Sequence, residues 1–193
     1  MSYNPNIHHR QSIRLKGYDY SQAGLYFVTL CLYGRACLFG HIENAEMILN
    51  DSGRAAQQCW LDIPNHYPNV VLHEYVIMPN HVHGIVQIVD DGGYGECRGV
   101  CKGECKGEIF FAPTVDPTDE QMVIRGTSRT IGSVLRGFKI GVTKWMRENT
   151  NVQNVWQRNY YEHIIRTEHS YQRIAEYIVD NPAKWGDDKF YVG

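Results

Sequence analysis

The 193-residue chain lacks the features that mark a membrane or secreted protein. No apolar run approaches the roughly 20 residues that a helix needs to span a bilayer, and no apolar segment follows a basic start within the first thirty residues. The six cysteines include no CxxC pair, the usual arrangement in structural zinc sites. We therefore expect a cytoplasmic protein without a membrane partner, whose cysteines remain reduced and form no disulfide.

The chain also lacks a strong net charge, but its charges are unevenly distributed. The formal net charge of −2 does not by itself indicate a nucleic-acid-binding protein. Between positions 125 and 147, however, there are six cations and no acidic residue, and a second basic stretch lies near the N-terminus. Such local fields attract polyanions, although scattered cations also occur on ordinary solvated helix faces. The candidate contacts to nucleic acid are Arg129, Arg136, Lys139, Lys144 and Arg147, with Arg14 and Lys16 in the N-terminal stretch.

Hydrophobic periodicity predicts a mixture of strands and helices. Residues 24–33 are aromatic and β-branched without charge, which is typical of a buried central strand. Met78-Pro79-Asn80 interrupts two strand-forming runs and predicts a hairpin turn. The expected elements are strands at 24–33 and about 36–48, a helix with N-cap candidates in Asn50-Asp51-Ser52 that ends before Pro64, a hairpin at about 69–89, a helix at about 128–149, a strand at 155–166, and a helix at about 167–181 that stops before Pro182.

A Gly-rich tract at about 91–124 interrupts this pattern. Cys97, Cys101 and Cys105 fall at every fourth position, a spacing that raises the question of a zinc knuckle. Without a CxxC pair or an evident fourth ligand, a low-complexity insertion explains the repeat more simply. We therefore predict one domain over residues 1–193, with a mobile insertion at about 91–124 that is dispensable for folding.

His81-Val82-His83 is the most informative feature of the sequence. Alternate residues of a strand share a face, so both imidazoles are expected to project from one side of the sheet. Two such histidines supply half of a metal site, and a third oxygen or nitrogen donor must come from elsewhere in the chain. An apolar strand with two histidines that serve only the core is the structural alternative.

The last predicted helix offers the missing groups. Tyr177 and Asn181 are four residues apart, which places them on one face of a helix, a single turn from each other. A site is then conceivable in which His81, His83 and Asn181 bind a divalent ion and Tyr177 attacks an atom that this ion holds. The basic flank of the helix at about 128–149 is expected to lie beside this site and to contact backbone phosphates. The structural alternative is a core tyrosine followed by an asparagine that caps the helix.

Several motifs, in order along nearly the whole chain, resemble the REP-associated tyrosine transposases, which are single-tyrosine (Y1) members of the HUH endonuclease superfamily. The motifs are Leu15-Lys-Gly-Tyr-Asp-Tyr20, Tyr26-Phe-Val-Thr29, Glu74-Tyr-Val-Ile-Met-Pro-Asn-His-Val-His-Gly-Ile85, Val155-Trp-Gln-Arg-Asn-Tyr-Tyr-Glu-His163 and Tyr177-Ile-Val-Asp-Asn-Pro182. The resemblance implies an α+β fold in which helices pack on an antiparallel, ferredoxin-like sheet, with the histidine pair on a central strand. It further implies Tyr177 as the nucleophile, and His81, His83 and Asn181 as ligands of Mg²⁺ or Mn²⁺. No role follows for Trp156-Gln157, and the Cys-rich tract has no counterpart.

The activity implied by the resemblance is cleavage and transfer of single-stranded DNA at hairpin-associated sites. A covalent 5′-phosphotyrosine would conserve the bond energy for rejoining, in agreement with the absence of a Walker-type phosphate loop. The expected partner is single-stranded or hairpin DNA, and both a monomer and a homodimer remain open. Two alternatives are a catalytically silent DNA-hairpin-binding protein on the same fold and a metallohydrolase of small phosphoesters, which makes poor use of the basic stretch.

Overall fold

The computed structural model describes residues 18–89 and 130–191 of the chain. Within these ranges the strands are β1 (Gly24–Cys31), β2 (Gly40–Glu43), β3 (Glu46–Leu49), β4 (Val70–Ile77), β5 (His81–Ile88) and β6 (Tyr161–Ile165). The α-helices are α1 (Asp51–Leu61), α2 (Ile63–His66), α3 (Ile131–Asn149) and α4 (Glu168–Asp180). The insertion predicted at about 91–124, with Cys97, Cys101 and Cys105, lies outside the described residues.

The main sheet has four strands in the order β4-β5-β1-β6, and all neighbouring pairs are antiparallel. β1 and β5 occupy the centre because both are apolar enough to be buried on two faces. The predicted α+β class, the antiparallel sheet and the position of the histidine pair on a central strand are therefore confirmed.

Helices cover both faces of this sheet. On one face, Val82 and Val86 of β5 belong to the larger core, which also contains Phe138 and Val142 of α3 and residues of α1. On the other face, the β5 residue Ile85 packs with side chains of α4. Since successive strand residues alternate between faces, β5 presents its odd-numbered residues, including both histidines, toward α4.

The predicted strand at about 36–48 is wrong in form. The chain instead makes a 3₁₀ turn at Tyr33–Arg35 and then a separate two-stranded hairpin of β2 and β3. Asn44 and Ala45 connect these strands with positive φ angles of 51° and 64°, as a tight type I′ turn requires. Asn44 was the available signal, but alanine at the second turn position concealed it.

The predicted strand at 155–166 is shortened to β6, and Trp156 explains the difference. Its indole nitrogen donates to the Lys139 carbonyl over 3.1 Å, and its backbone forms an isolated bridge with Leu32. The next amide, that of Gln157, donates to the Cys31 carbonyl over 2.9 Å. The Trp-Gln pair therefore ties the segment before β6 to α3 and to the end of β1.

α1 begins after one of its predicted N-cap candidates, and α4 begins after a threonine that acts in the same way. The Asn50 side chain accepts from the Gly53 amide at the start of α1, and Thr167 caps α4 in the same way through Ser170. Pro64 lies in the first turn of α2, where its missing amide hydrogen costs no hydrogen bond. No helix in the described part of the chain is long and apolar enough to cross a membrane.

Candidate metal and tyrosine site

β5 buries both histidines on the face that α4 covers. His81 is 0% exposed and His83 is 1% exposed, and their ring centroids are 4.4 Å apart. The β-strand period thus places the imidazoles side by side, as the sequence predicted. Gly84 directly follows His83 and faces the opposite side of the sheet. The Trp60 ring occupies the space there that a larger side chain at this position would need.

Hydrogen bonds fix the orientation of both rings. His81 Nδ1 lies 2.8 Å from Asn80 Oδ1, and His83 Nδ1 lies 2.9 Å from the Thr29 hydroxyl oxygen. An amide oxygen only accepts, so His81 Nδ1 must carry the proton and Nε2 must hold a lone pair. This Nε2 is buried and has no hydrogen-bond partner among the described residues. Its lone pair is therefore available to a ligand.

The electrostatics of the pair also favour neutral imidazoles. Burial lowers the pKa of His81 to about 4, although the Asp188 carboxylate opposes this fall. Burial and the neighbouring His81 lower the pKa of His83 well below its usual value. Both imidazoles are consequently neutral at pH 7, and the neutral form is the one that binds metal ions.

α4 brings Tyr177 and Asn181 to the same place. The Tyr177 hydroxyl oxygen lies 3.1 Å from His83 Nε2 and donates to Asp188 Oδ2 over 3.3 Å. Asn181 is 2% exposed, and its Nδ2 donates to the same carboxylate oxygen over 3.0 Å, whereas its Oδ1 is buried without a hydrogen-bond partner in the described ranges. The spacing of four residues therefore brings a phenol and an amide to one carboxylate beside the histidines.

Asp188 is the residue that sequence reasoning missed. One oxygen of its carboxylate and one nitrogen of each histidine lie within 4.8 Å of one another. Asp188 directly follows a 3₁₀ turn at Trp185–Asp187, beyond α4. This segment is held in place because Asn80 Nδ2 donates to the Phe190 carbonyl over 2.8 Å. No periodic signal announces such a residue; the acidic pair Asp187-Asp188 soon after Pro182 was the only hint.

These groups fit a divalent cation. Two neutral imidazoles and a carboxylate form a donor set that Mn²⁺ and other divalent metals accept, and an additional amide oxygen suits Mg²⁺ and Mn²⁺. Two of the polar atoms here, His81 Nε2 and Asn181 Oδ1, are buried without a partner within residues 18–89 and 130–191. A bound cation would satisfy the kind of lone pair that protein interiors seldom leave unused.

Tyr177 is the accessible member of the group. It is 40% exposed and, with Phe27, Tyr161 and Lys189, lines a cavity of about 370 Å³ beside His83. Burial raises its pKa to about 12, and the adjacent Asp188 carboxylate adds to the rise. A phenolate at this position therefore requires a positive charge nearby.

The basic residues of α3 do not lie beside this site, which corrects the expected arrangement. α3 packs on the opposite face of the sheet, where Arg136, Lys144 and Arg147 line a separate groove. Lys139 donates to the carbonyls of Gln157 and Asn159 over 3.2 and 2.8 Å, so its ammonium group is engaged by the protein itself. The other basic residues singled out in the sequence, Arg14, Lys16 and Arg129, lie outside the described residues.

No family model matches the chain. Its structure superposes on that of a REP-associated tyrosine transposase bound to a REP hairpin with a TM-score of 0.54, over 91% of this chain and 76% of that one, at 19% sequence identity. A candidate transposase from Deinococcus radiodurans R1 is 14% identical and has a TM-score of 0.43 over 86% of this chain and 95% of that one, which is too low to support a conclusion.

The chain thus has the fold of the REP-associated tyrosine transposases, as its motifs predicted. At the level of sequence it is 50% identical over 190 residues to an uncharacterized protein of Haemophilus influenzae, a match that spans 98% of this chain and 97% of the relative. The two proteins belong to one family.

Proposed function

We propose that the protein is a metal-dependent nickase and strand transferase for single-stranded DNA, with Tyr177 as its nucleophile. The observation that carries this proposal is the distance of 3.1 Å between the Tyr177 hydroxyl oxygen and His83 Nε2. His83 is one of three donor groups that converge here, and the other two are His81 and Asp188. A tyrosine that only packs in the core needs neither partial exposure nor contact with a buried pair of neutral histidines.

In this proposal His81, His83 and Asp188 hold Mg²⁺ or Mn²⁺, with Asn181 as the additional oxygen donor. The cation offsets the negative charge of a phosphodiester and favours the phenolate form of the nucleophile. Asn80 and Thr29 fix the histidine rings, and outer hydrogen bonds of this kind orient metal ligands in many proteins.

The chain's own groups account for the bonds that change. The Tyr177 oxygen attacks phosphorus and the bond from phosphorus to the 3′ oxygen breaks. The DNA downstream of the break becomes joined to the tyrosine through its 5′-phosphate, and the upstream DNA leaves with a 3′-hydroxyl. Asp188 Oδ2, which accepts the Tyr177 hydroxyl, orients this nucleophile. The hydroxyl proton passes to solvent, and solvent returns a proton to the departing 3′ oxygen. Because no water is consumed, a 3′-hydroxyl can attack the phosphotyrosine and rejoin the strand.

Hairpin DNA is the proposed substrate class, because a REP-associated tyrosine transposase with this fold is bound to a REP hairpin in its solved structure. A catalytically silent binder on the same fold would bind such a hairpin and form no covalent product. Formation of an adduct therefore distinguishes the two functions.

The test uses labelled hairpin DNA with single-stranded flanks, incubated with Mn²⁺ and analysed on a denaturing gel. We expect a denaturation-resistant protein-DNA species with the wild type, none after addition of a chelator, and none with Tyr177→Phe. Tyr161→Phe is the matched control, since Tyr161 lines the same cavity but forms no hydrogen bond with His81, His83 or Asp188 among the described residues. An adduct that persists in Tyr177→Phe would overturn the assignment.

A further inference from the structure

A groove runs along α3 on the face of the sheet opposite the metal and tyrosine site. It has a volume of about 880 Å³ and is lined by Arg136, Ile140, Lys144 and Arg147 of α3, with Tyr20 and Tyr160 on its other side. We call it the α3 groove. The reaction proposed for Tyr177 does not account for a concave surface of this size on the far side of the sheet.

The α3 groove carries an excess of positive charge. Residues 136, 140, 144 and 147 follow one another at spacings of four, four and three, so they form a single exposed stripe on the helix. Within residues 18–89 and 130–191, no carboxylate forms an ion pair with Arg136, Lys144 or Arg147. Glu148 is the one acidic side chain among the described residues that line the groove. The surface is therefore complementary to a polyanion.

The groove also offers apolar and aromatic surface next to its cations. Ile140 is 60% exposed in the middle of the basic stripe, and Tyr20 and Tyr160 are partly exposed on the other side. A duplex presents mainly phosphates, whereas a single strand presents both phosphates and the faces of its bases. Cations interleaved with aromatic and apolar side chains are typical of surfaces that bind single strands.

The chain connects the α3 groove directly to the metal and tyrosine site. Tyr160 lines the groove, and the next residue, Tyr161, lines the cavity beside His83 and Tyr177. Tyr161 of β6 pairs with Thr29 of β1, and Thr29 pairs in turn with His83 of β5. These three residues therefore share one face of the sheet. Among the described residues, β6 is one of the two edge strands of the main sheet, so this edge offers a path from one face to the other.

Lys139 stabilises this edge. Its ammonium group donates to the carbonyls of Gln157 and Asn159, directly before Tyr160, and lies 6.0 Å from the Tyr160 ring centroid. The wall of the groove is thereby attached to α3, which fixes the position of Tyr160 relative to the basic stripe.

We propose that the α3 groove holds the single-stranded DNA that flanks the cleaved phosphate, and that this strand reaches Tyr177 around the edge formed by β6. The proposal rests on the proposed function for the identity of the strand, but the binding property of the groove can be tested separately. The groove would then supply affinity, while the site on the opposite face supplies the chemistry.

The first experiment measures binding without chemistry, in a Tyr177→Phe background, by fluorescence anisotropy of a labelled single strand about 20 nucleotides long. We expect Arg136→Ala combined with Lys144→Ala to weaken binding about tenfold. The slope of log affinity against log salt should fall by about 1.4, since each phosphate contact contributes about 0.7 for single strands. Arg54→Ala removes an exposed cation of α1 outside the groove and is the matched control.

Three results of this experiment would overturn the proposal. Affinity and salt dependence could be unchanged in the double variant, or a blunt duplex could compete as well as the single strand. The double variant could also change the oligomeric state of the protein and not its DNA affinity, which would indicate a second copy of the chain in the groove.

The second experiment tests the path around β6 by adduct formation with native Tyr177. If groove and site hold the same strand, the double variant should raise the DNA concentration for half-maximal adduct formation about tenfold and leave the rate at saturation unchanged. An unchanged half-saturation would overturn the continuous path. If even the wild type forms no adduct, the proposed function fails, and the anisotropy experiment still decides whether the groove binds single strands.

Discussion

Burial of the histidine pair should make the stability of the metal-free protein fall as the pH drops from 7 to 5. The unfolded chain protonates a histidine near pH 6.5, but burial lowers the pKa of His81 in the folded chain to about 4. Between these values the unfolded state binds more protons, so acid favours unfolding. At a pH below both pKa values, this difference in pKa lowers the free energy of unfolding by roughly 3 kcal/mol in total. About 2 kcal/mol of that loss occurs between pH 7 and pH 5. His83 acts in the same direction.

The assay is thermal unfolding in chelator at pH 7 and pH 5, for which a loss of about 2 kcal/mol corresponds to a fall in Tm of about 4–8 °C. Other groups also titrate, so the informative quantity is the pH-dependent fall in each variant. His81→Gln should show a smaller fall than the wild type, whereas His169→Gln, which alters an exposed histidine of α4, should not. An equal fall in the wild type and in His81→Gln would refute the reasoning.

Three further substitutions, two of them paired with a control substitution, have defined outcomes. Asp188→Asn should weaken Mn²⁺ binding at least about tenfold in calorimetry, because it removes a charged ligand, and unchanged affinity would exclude Asp188 from the metal site. Gly84→Ala would place a methyl group 2.3 Å from an atom of the indole beneath it and should destabilise the fold by about 1–3 kcal/mol. Gly186→Ala meets no atom within 4 Å and should leave Tm unchanged. Lys139→Ala removes two hydrogen bonds to backbone carbonyls and should cost about 1–3 kcal/mol in urea unfolding. Lys144→Ala, an exposed cation of the same helix, should cost less than about 0.5 kcal/mol.

The parts of the fold that the sequence predicted well are those with local signals. The α4 helix has a cap at Thr167 and an end before Pro182, and the hairpin around Asn80 has two strongly strand-forming arms. The separate hairpin of β2 and β3 was missed, because its turn contains neither glycine nor proline. β6 is shorter than predicted, because contacts of Trp156 distant in sequence override the strand pattern before it.

The candidate site divides in the same way. His81, His83, Tyr177 and Asn181 could be recognised because a strand period and a helical turn place each pair on one face. Asp188 could not, since its position depends on hydrogen bonds that Asn80 and Asn181 donate to the segment after α4. The apolar stripe of α3 likewise predicted a buried helix face without indicating which side of the sheet it covers.

The nucleophile can be identified without any substitution. Trypsin cleaves after Arg173 and Lys184, so it releases residues 174–184 as a peptide in which Tyr177 is the only tyrosine. Tyr171 falls in the preceding peptide, 167–173, and Tyr160 and Tyr161 fall together in 159–166. The wild type is incubated with single-stranded DNA and Mn²⁺, digested with nuclease and trypsin, and analysed by mass spectrometry. We expect to find a nucleotide joined through its 5′-phosphate to peptide 174–184. A nucleotide joined to any other tyrosine-containing peptide, with peptide 174–184 unmodified, would contradict the account.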